Sequence, residues 1–151
     1  MKMTIETIPT CPIAYIRQIG AYGEENTRTM EQLKQWAKAN NILSSKAVIF
    51  GIAQDNPQTT PPEECRYDAC IALEEEPVVK DDTMRYGEIA GGRYAVFTLQ
   101  HTAEAVRNAW AAIFPAVAES GCIPDEARPV IERYALELVE QNLCEICVPI
   151  I

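Results

Sequence analysis

Apolar positions along the chain switch between two periods, and the switches divide it into elements. Ile13-Ala14-Tyr15-Ile16-Arg17-Gln18-Ile19 is rich in residues that suit a pleated strand and stops at Gly20 to Gly23; Met30, Leu33, Trp36 and Ala37 then recur at helical spacing. Val48 to Ala53 reads as a buried strand. A loop from Asp55-Asn56-Pro57 to Pro61-Pro62 follows, and Arg66 to Leu73 alternates as a further strand, so the first unit is β-α-β-β. Past the acidic Glu74-Glu75-Glu76-Pro77 and the polar Lys80-Asp81-Asp82 the same order returns. A Gly91-Gly92 turn leads into a strand over Arg93 to Leu99, and Thr102 stands as N-cap before a helix marked by Val106, Ala109, Trp110, Ile113, Phe114 and Val117. Val130 to Leu138 and Leu143 to Ile150 then form a hairpin. Pro115 lies inside the second helical pattern, where it removes the bond to the Ala111 carbonyl and predicts a kink or a shortened helix.

The two units, about 10–73 and about 88–150, align at an offset of roughly 80 residues, with Ile13 over Tyr94 and Ile42 over Ile123. Half a chain of this size buries its apolar face poorly alone. The expected fold is therefore one α+β domain over residues 1–151. In it two β-α-β-β units pair about a pseudo-two-fold axis, with helices on one face of the sheet and a concave groove on the other.

Composition narrows the function. The 151 residues carry 13 Lys+Arg against 22 Asp+Glu, a net charge of −9, and no basic cluster stands out, which argues against direct nucleic-acid binding. A basic protein surface or a cationic ligand suits that charge better. The N-terminal Met1-Lys2-Met3-Thr4-Ile5-Glu6 has no apolar segment after it, and the stretch from Ala47 to Ala53 is too short to span a bilayer, so neither secretion nor membrane insertion is expected and the protein is read as cytoplasmic. The six cysteines are accordingly read as reduced and packed.

Several chemistries lack their residues. No GxSxG elbow is present, His101 is the single histidine, and Gly91-Gly92 precedes a strand, where a phosphate loop would follow one. Cys144 and Cys147 form a CxxC, yet in a strand residues three apart face opposite sides roughly 10 Å apart, so they cannot chelate together. No metal or other cofactor is expected. Glu145 is the informative position. In the last strand Cys144, Ile146, Val148 and Ile150 share the helix-packed face, which leaves Leu143, Glu145 and Cys147 on the other; the first unit likewise leaves Arg66, Asp68 and Cys70 opposite its core face. Asp68 can thus mirror Glu145 across the axis. A solvated Glu145, or one paired with Arg66 or Arg133, is the plainer alternative. Tyr94, Phe97, Trp36, Trp110, Tyr22, Tyr67 and Tyr134 are the aromatics available to wall a groove. Glu132 and Tyr134 share a face and cannot both be core without a hydrogen-bonded arrangement.

Asp55-Asn56-Pro57 with Thr60-Pro61 and Arg66-Tyr67-Asp68, then Glu88-Ile89-Ala90-Gly91-Gly92-Arg93-Tyr94-Ala95-Val96, and finally Glu145-Ile146-Cys147-Val148-Pro149-Ile150 resemble the GyrI-like small-molecule-binding family over nearly the whole chain. That family includes DNA gyrase inhibitory proteins and the effector-binding domains of AraC-type and MerR-type multidrug regulators. The resemblance implies a groove for hydrophobic, often cationic, compounds, with the pocket glutamate carried onto Glu145 and the aromatic wall onto Tyr134 and Trp110. Unlike the regulators, this chain starts at the first repeat, so no DNA-binding domain is expected. Three functions follow in order: a stand-alone binder of hydrophobic cations through Glu145, a gyrase inhibitory-type protein acting on gyrase or another basic protein partner, and a hydrolase of strained electrophiles using Glu145 and Tyr134. Without a nucleophile, metal or oxyanion loop, no catalytic residue is assigned.

Overall fold

Two buried stripes at helical spacing fix where the helices lie. Thr29, Leu33 and Ala37 are the buried residues of α1 (Glu24–Ala39), and Ala109, Ile113 and Val117 are those of α2 (Ala103–Glu119). Glu24 and Glu25 oppose the positive end of α1, and its far end closes in a Schellman arrangement, with Asn41 at φ 58° and the Ile42 N–H on the Ala37 carbonyl at 2.9 Å. α2 is capped as expected: the Thr102 hydroxyl accepts from the Ala105 N–H at 3.1 Å. Pro115 neither ends nor divides α2. It sits with Ala111 on the exposed side, where water can satisfy the Ala111 carbonyl left without its helical donor.

The computed structural model describes residues 1–151. Its strands are β1 (Lys2–Ile8), β2 (Cys11–Ile19), β3 (Val48–Ala53), β4 (Arg66–Ala72), β5 (Arg85–Ile89), β6 (Gly92–Gln100), β7 (Ile131–Ala135) and β8 (Leu143–Pro149), with a single-turn α3 (Leu136–Val139) between the last two. They form one antiparallel sheet in the order β1-β6-β8-β7-β3-β4-β2-β5, which reads the same from either edge: a borrowed strand, then the three strands of one β-α-β-β unit. β1 and β5 are the borrowed strands, each pairing with the other unit. The hydropathy pattern misses both because each buries only its last residue, Ile8 and Ile89. The expected closing hairpin is present but shorter, since the chain leaves β7 at Ala135 to form α3.

The connections impose a curvature. Pro9 and Thr10 alone join β1 to β2, which stand six places apart in the sheet, and Ala90 and Gly91 alone join β5 to β6 across the same interval. A flat sheet would need roughly 29 Å, whereas such a link reaches about 11 Å. The sheet therefore curls until its edges meet on the face away from the helices. Two contacts record the closure. The Gly91 N–H donates to Thr10 Oγ1 at 3.1 Å where the links cross, and Glu6 of β1 reaches Arg133 of β7 at 3.1 Å over two intervening strands. The enclosed face carries its own apolar cluster, including Ile13, Phe50, Ile52, Tyr94, Ile131 and Cys147, while separate clusters pack under α1 and α2. The face expected to offer an open groove is largely filled, and a cavity of about 240 Å³ is left beside Arg17 and Tyr94.

Gly91 has no room for a side chain: a Cβ would stand 2.5 Å from the Thr10 nitrogen and 3.1 Å from the Ile8 carbonyl oxygen, both backbone atoms. Gly91→Ala should destabilise the fold by about 2 kcal/mol or more, read as a lower urea midpoint at unchanged m-value. An alkaline limit also follows. Burial pushes the Cys144 thiol from an ordinary 9.0 up to about 11 and the Cys147 thiol up to about 12, and raises Cys70 further. Above pH 9 the unfolded chain releases these protons while the folded chain keeps them. Stability should therefore hold up to about pH 8.5 and fall progressively between about 9 and 12, which urea titrations at pH 7, 9 and 10.5 will show.

Candidate functional site

Central strands β3 and β7 pair with each other, and in that register Gly51 stands opposite Glu132. The two positions correspond in the two units, so the middle of the sheet has a glycine on one side of the axis and a carboxylate on the other. Glu132 points to the helix side, where α1, α3 and the chain entering α2 leave a cavity of about 380 Å³ over the strands. Its walls include Met30 from α1, Ile49 and Tyr67 from the sheet, Tyr134 beside Glu132, and His101 before α2.

Neutral donors hold the carboxylate. Trp110 Nε1–H donates to Glu132 Oε1 at 3.3 Å, and the Tyr134 hydroxyl donates to Oε2 in a short hydrogen bond. This is the hydrogen-bonded arrangement that the shared face of Glu132 and Tyr134 demands. Burial, and then the adjacent Glu132 charge, push the phenols of Tyr134 and Tyr67 far above their ordinary values, so both remain donors. The His101 ring lies 5.3 Å from that of Tyr134, tilted by 44°. Glu132 forms no ion pair with any Lys, Arg or His.

Glu145 and Asp68 are arranged in the opposite way. Both lie on the enclosed face, on β8 and β4, and each meets a guanidinium edge-on. Arg133 bonds Glu145 at 2.9 and 3.0 Å, and Arg17 bonds Asp68 at 2.7 and 2.8 Å, with Gln54 adding a third bond to Asp68 at 3.0 Å. They do flank the axis, yet their charge is compensated and they are turned away from the larger cavity. Of the aromatics, the structure brings Tyr134 and Trp110 together. Tyr94 is fully buried in the enclosed cluster, Phe97 is core beneath α2, and Trp36 donates to Asp81 at 2.9 Å, tying the segment after β4 to α1. Glu132 is absent from the groove read in the sequence, although the face it shares with Tyr134 was the signal for it. Tyr67, one of the aromatics available to wall that groove, lines the helix-side cavity instead, over Gly51.

A model of the GyrI-like small molecule binding domain matches residues 1–151. Among curated proteins the chain is 44% identical over 151 residues to YosT of Bacillus subtilis (strain 168), an SPbeta prophage-derived protein provisionally named as a transcriptional regulator, covering 99% of both chains. It is 25% identical over 138 residues to a DNA gyrase inhibitor of Edwardsiella piscicida, covering 89% of this chain and 86% of that one. Among solved structures the EcmrR C-terminal domain superposes with a TM-score of 0.76 at 16% identity, covering 99% of this chain and 97% of that one. SAV2435 bound to tetraphenylphosphonium superposes at 0.61 and 11% identity, covering 100% and 94%. These two share the fold. The chain belongs to the GyrI-like small-molecule-binding domain family.

Proposed function

We propose that the chain takes up hydrophobic cations in the cavity between its helices, for sensing or sequestration, with the positive charge resting against Glu132 between Tyr134 and Trp110. One observation carries the reading: of the three carboxylates on the four central strands, Asp68, Glu145 and Glu132, only Glu132 is held by neutral donors and has no cationic partner. A cation about 4 Å from it gains roughly 4 kcal/mol at an effective dielectric near 20, of which desolvation cancels much. Burial of about 200 Å² of apolar ligand surface contributes on the order of 5 kcal/mol, so affinity in the micromolar range is expected after association costs. The tetraphenylphosphonium held by SAV2435, which shares the fold, supports that ligand class. The family resemblance that assigns the pocket glutamate to Glu145 is better served by Glu132, since Arg133 and Glu6 occupy the space around Glu145. In calorimetric titrations with tetraphenylphosphonium, Glu132→Gln should weaken binding about tenfold or more and Glu145→Gln by no more than about twofold. Equal losses in the two variants would remove Glu132 from its role.

A second reading rests on the segment between β4 and β5. Val78 and Val79 are 100% and 86% exposed between Glu74-Glu75-Glu76 and Asp81-Asp82, a combination suited to docking on a basic protein surface with an apolar pocket. The gyrase inhibitor among the relatives makes gyrase the partner to test. The reading expects dose-dependent loss of supercoiling with added protein, restored activity with a Val78→Ser, Val79→Ser variant, and is withdrawn for gyrase if a large molar excess has no effect.

A further inference from the structure

The cavity that holds Glu132 also carries donors that Glu132 does not use. The Tyr67 hydroxyl makes no hydrogen bond although its ring is largely buried, and it occupies the space left by Gly51: a Cβ there would stand 2.7 Å from Tyr67 Oη. Across the same cavity, Lys34 of α1 lines the mouth without an ion-pair partner; Glu31, one turn earlier and also at the mouth, is not within pairing distance. Tyr67 stays protonated through the neutral range, as burial and the nearby Glu132 charge raise it. One wall thus offers a fixed negative charge, while a phenol O–H and an ammonium elsewhere in the cavity await an acceptor. A ligand that is only a cation leaves the phenol without an acceptor and meets Lys34, which is exposed at the mouth, as a repulsive neighbour.

Resting on the Glu132 reading, we propose that the cavity selects amphipathic cations that also bear a carboxylate or comparable oxygen acceptor, with the cation on Glu132 and the acceptor taken by Tyr67 and Lys34. Rhodamine 123 and its free acid, rhodamine 110, differ only in a methyl ester against a carboxylate and so isolate the acceptor. Fluorescence anisotropy titrations of the wild-type chain should favour the free acid by roughly threefold or more, a ratio in keeping with one partly exposed ion pair. Lys34→Met should abolish or reverse that preference. Tyr67→Phe should narrow the preference for the free acid over the ester by roughly threefold, with unchanged thermal melting as the check on folding. Tighter binding of the ester by wild type, or an unchanged ratio in Lys34→Met, overturns the proposal while leaving the cation site at Glu132 standing. If neither rhodamine nor tetraphenylphosphonium binds wild type, the Glu132 reading fails and this one falls with it.

Discussion

Two-residue links hold strands that sit six places apart, and the remaining architecture adapts to that short reach. Pro9-Thr10 and Ala90-Gly91 can close the distance only if the sheet curls, and they cross in contact where the Gly91 N–H meets Thr10 Oγ1. Curling encloses the face opposite the helices. Polar groups on that face must then be satisfied internally, which is why Asp68 and Glu145 each face a guanidinium in a two-bond geometry and why Glu6 reaches across to Arg133. The helices cannot close the other face as completely. They leave room over the pair Gly51 and Glu132, the middle of the sheet.

Compensation of charge separates Asp68 and Glu145 from Glu132, the carboxylate proposed to meet the ligand. An Arg–carboxylate pair in a closed site is costly to break, because removing either partner strands the other. Glu132 has no such partner. Trp110 and Tyr134 orient its oxygens without cancelling their charge, so the cation proposed to enter there would meet an acceptor already aimed and shielded from bulk water on the sheet side. The equivalent position in the other unit is Gly51, and the space it leaves is taken by the Tyr67 hydroxyl. Two similar units thus build an asymmetric site, with the charge supplied by one and the room by the other.

Parity along the strands was legible from the sequence and largely correct. Cys144 and Cys147 do separate to opposite faces, Glu145 and Asp68 do share a face, and Glu132 with Tyr134 does require a hydrogen-bonded solution. Parity does not say which face stays open. That depends on strand order, and the order turns on β1 and β5, whose single buried residues give almost no hydrophobic signal. Without those two strands and the closure they impose, the far face reads as an open groove and Glu145 as available to it. Trp36 and Phe97 went to the groove for a related reason: an aromatic at helical or strand spacing fits a wall and a core equally well, and only the three-dimensional neighbours, Asp81 for one and α2 for the other, distinguish them. Pro115 does not shorten α2, because on the exposed side water can satisfy the carbonyl it leaves without a donor.

The central claim is that ligand charge is met on the helix side of the sheet by Glu132, with the opposite face closed by its own ion pairs and apolar cluster. A crystal structure of the chain with tetraphenylphosphonium tests it most directly. The account predicts the phosphonium between α1 and the start of α2, its centre above the Glu132 carboxylate and a phenyl ring against Tyr134, with the Arg133–Glu145 pair intact. Density for the cation beside Glu145, with Arg133 displaced, would contradict it.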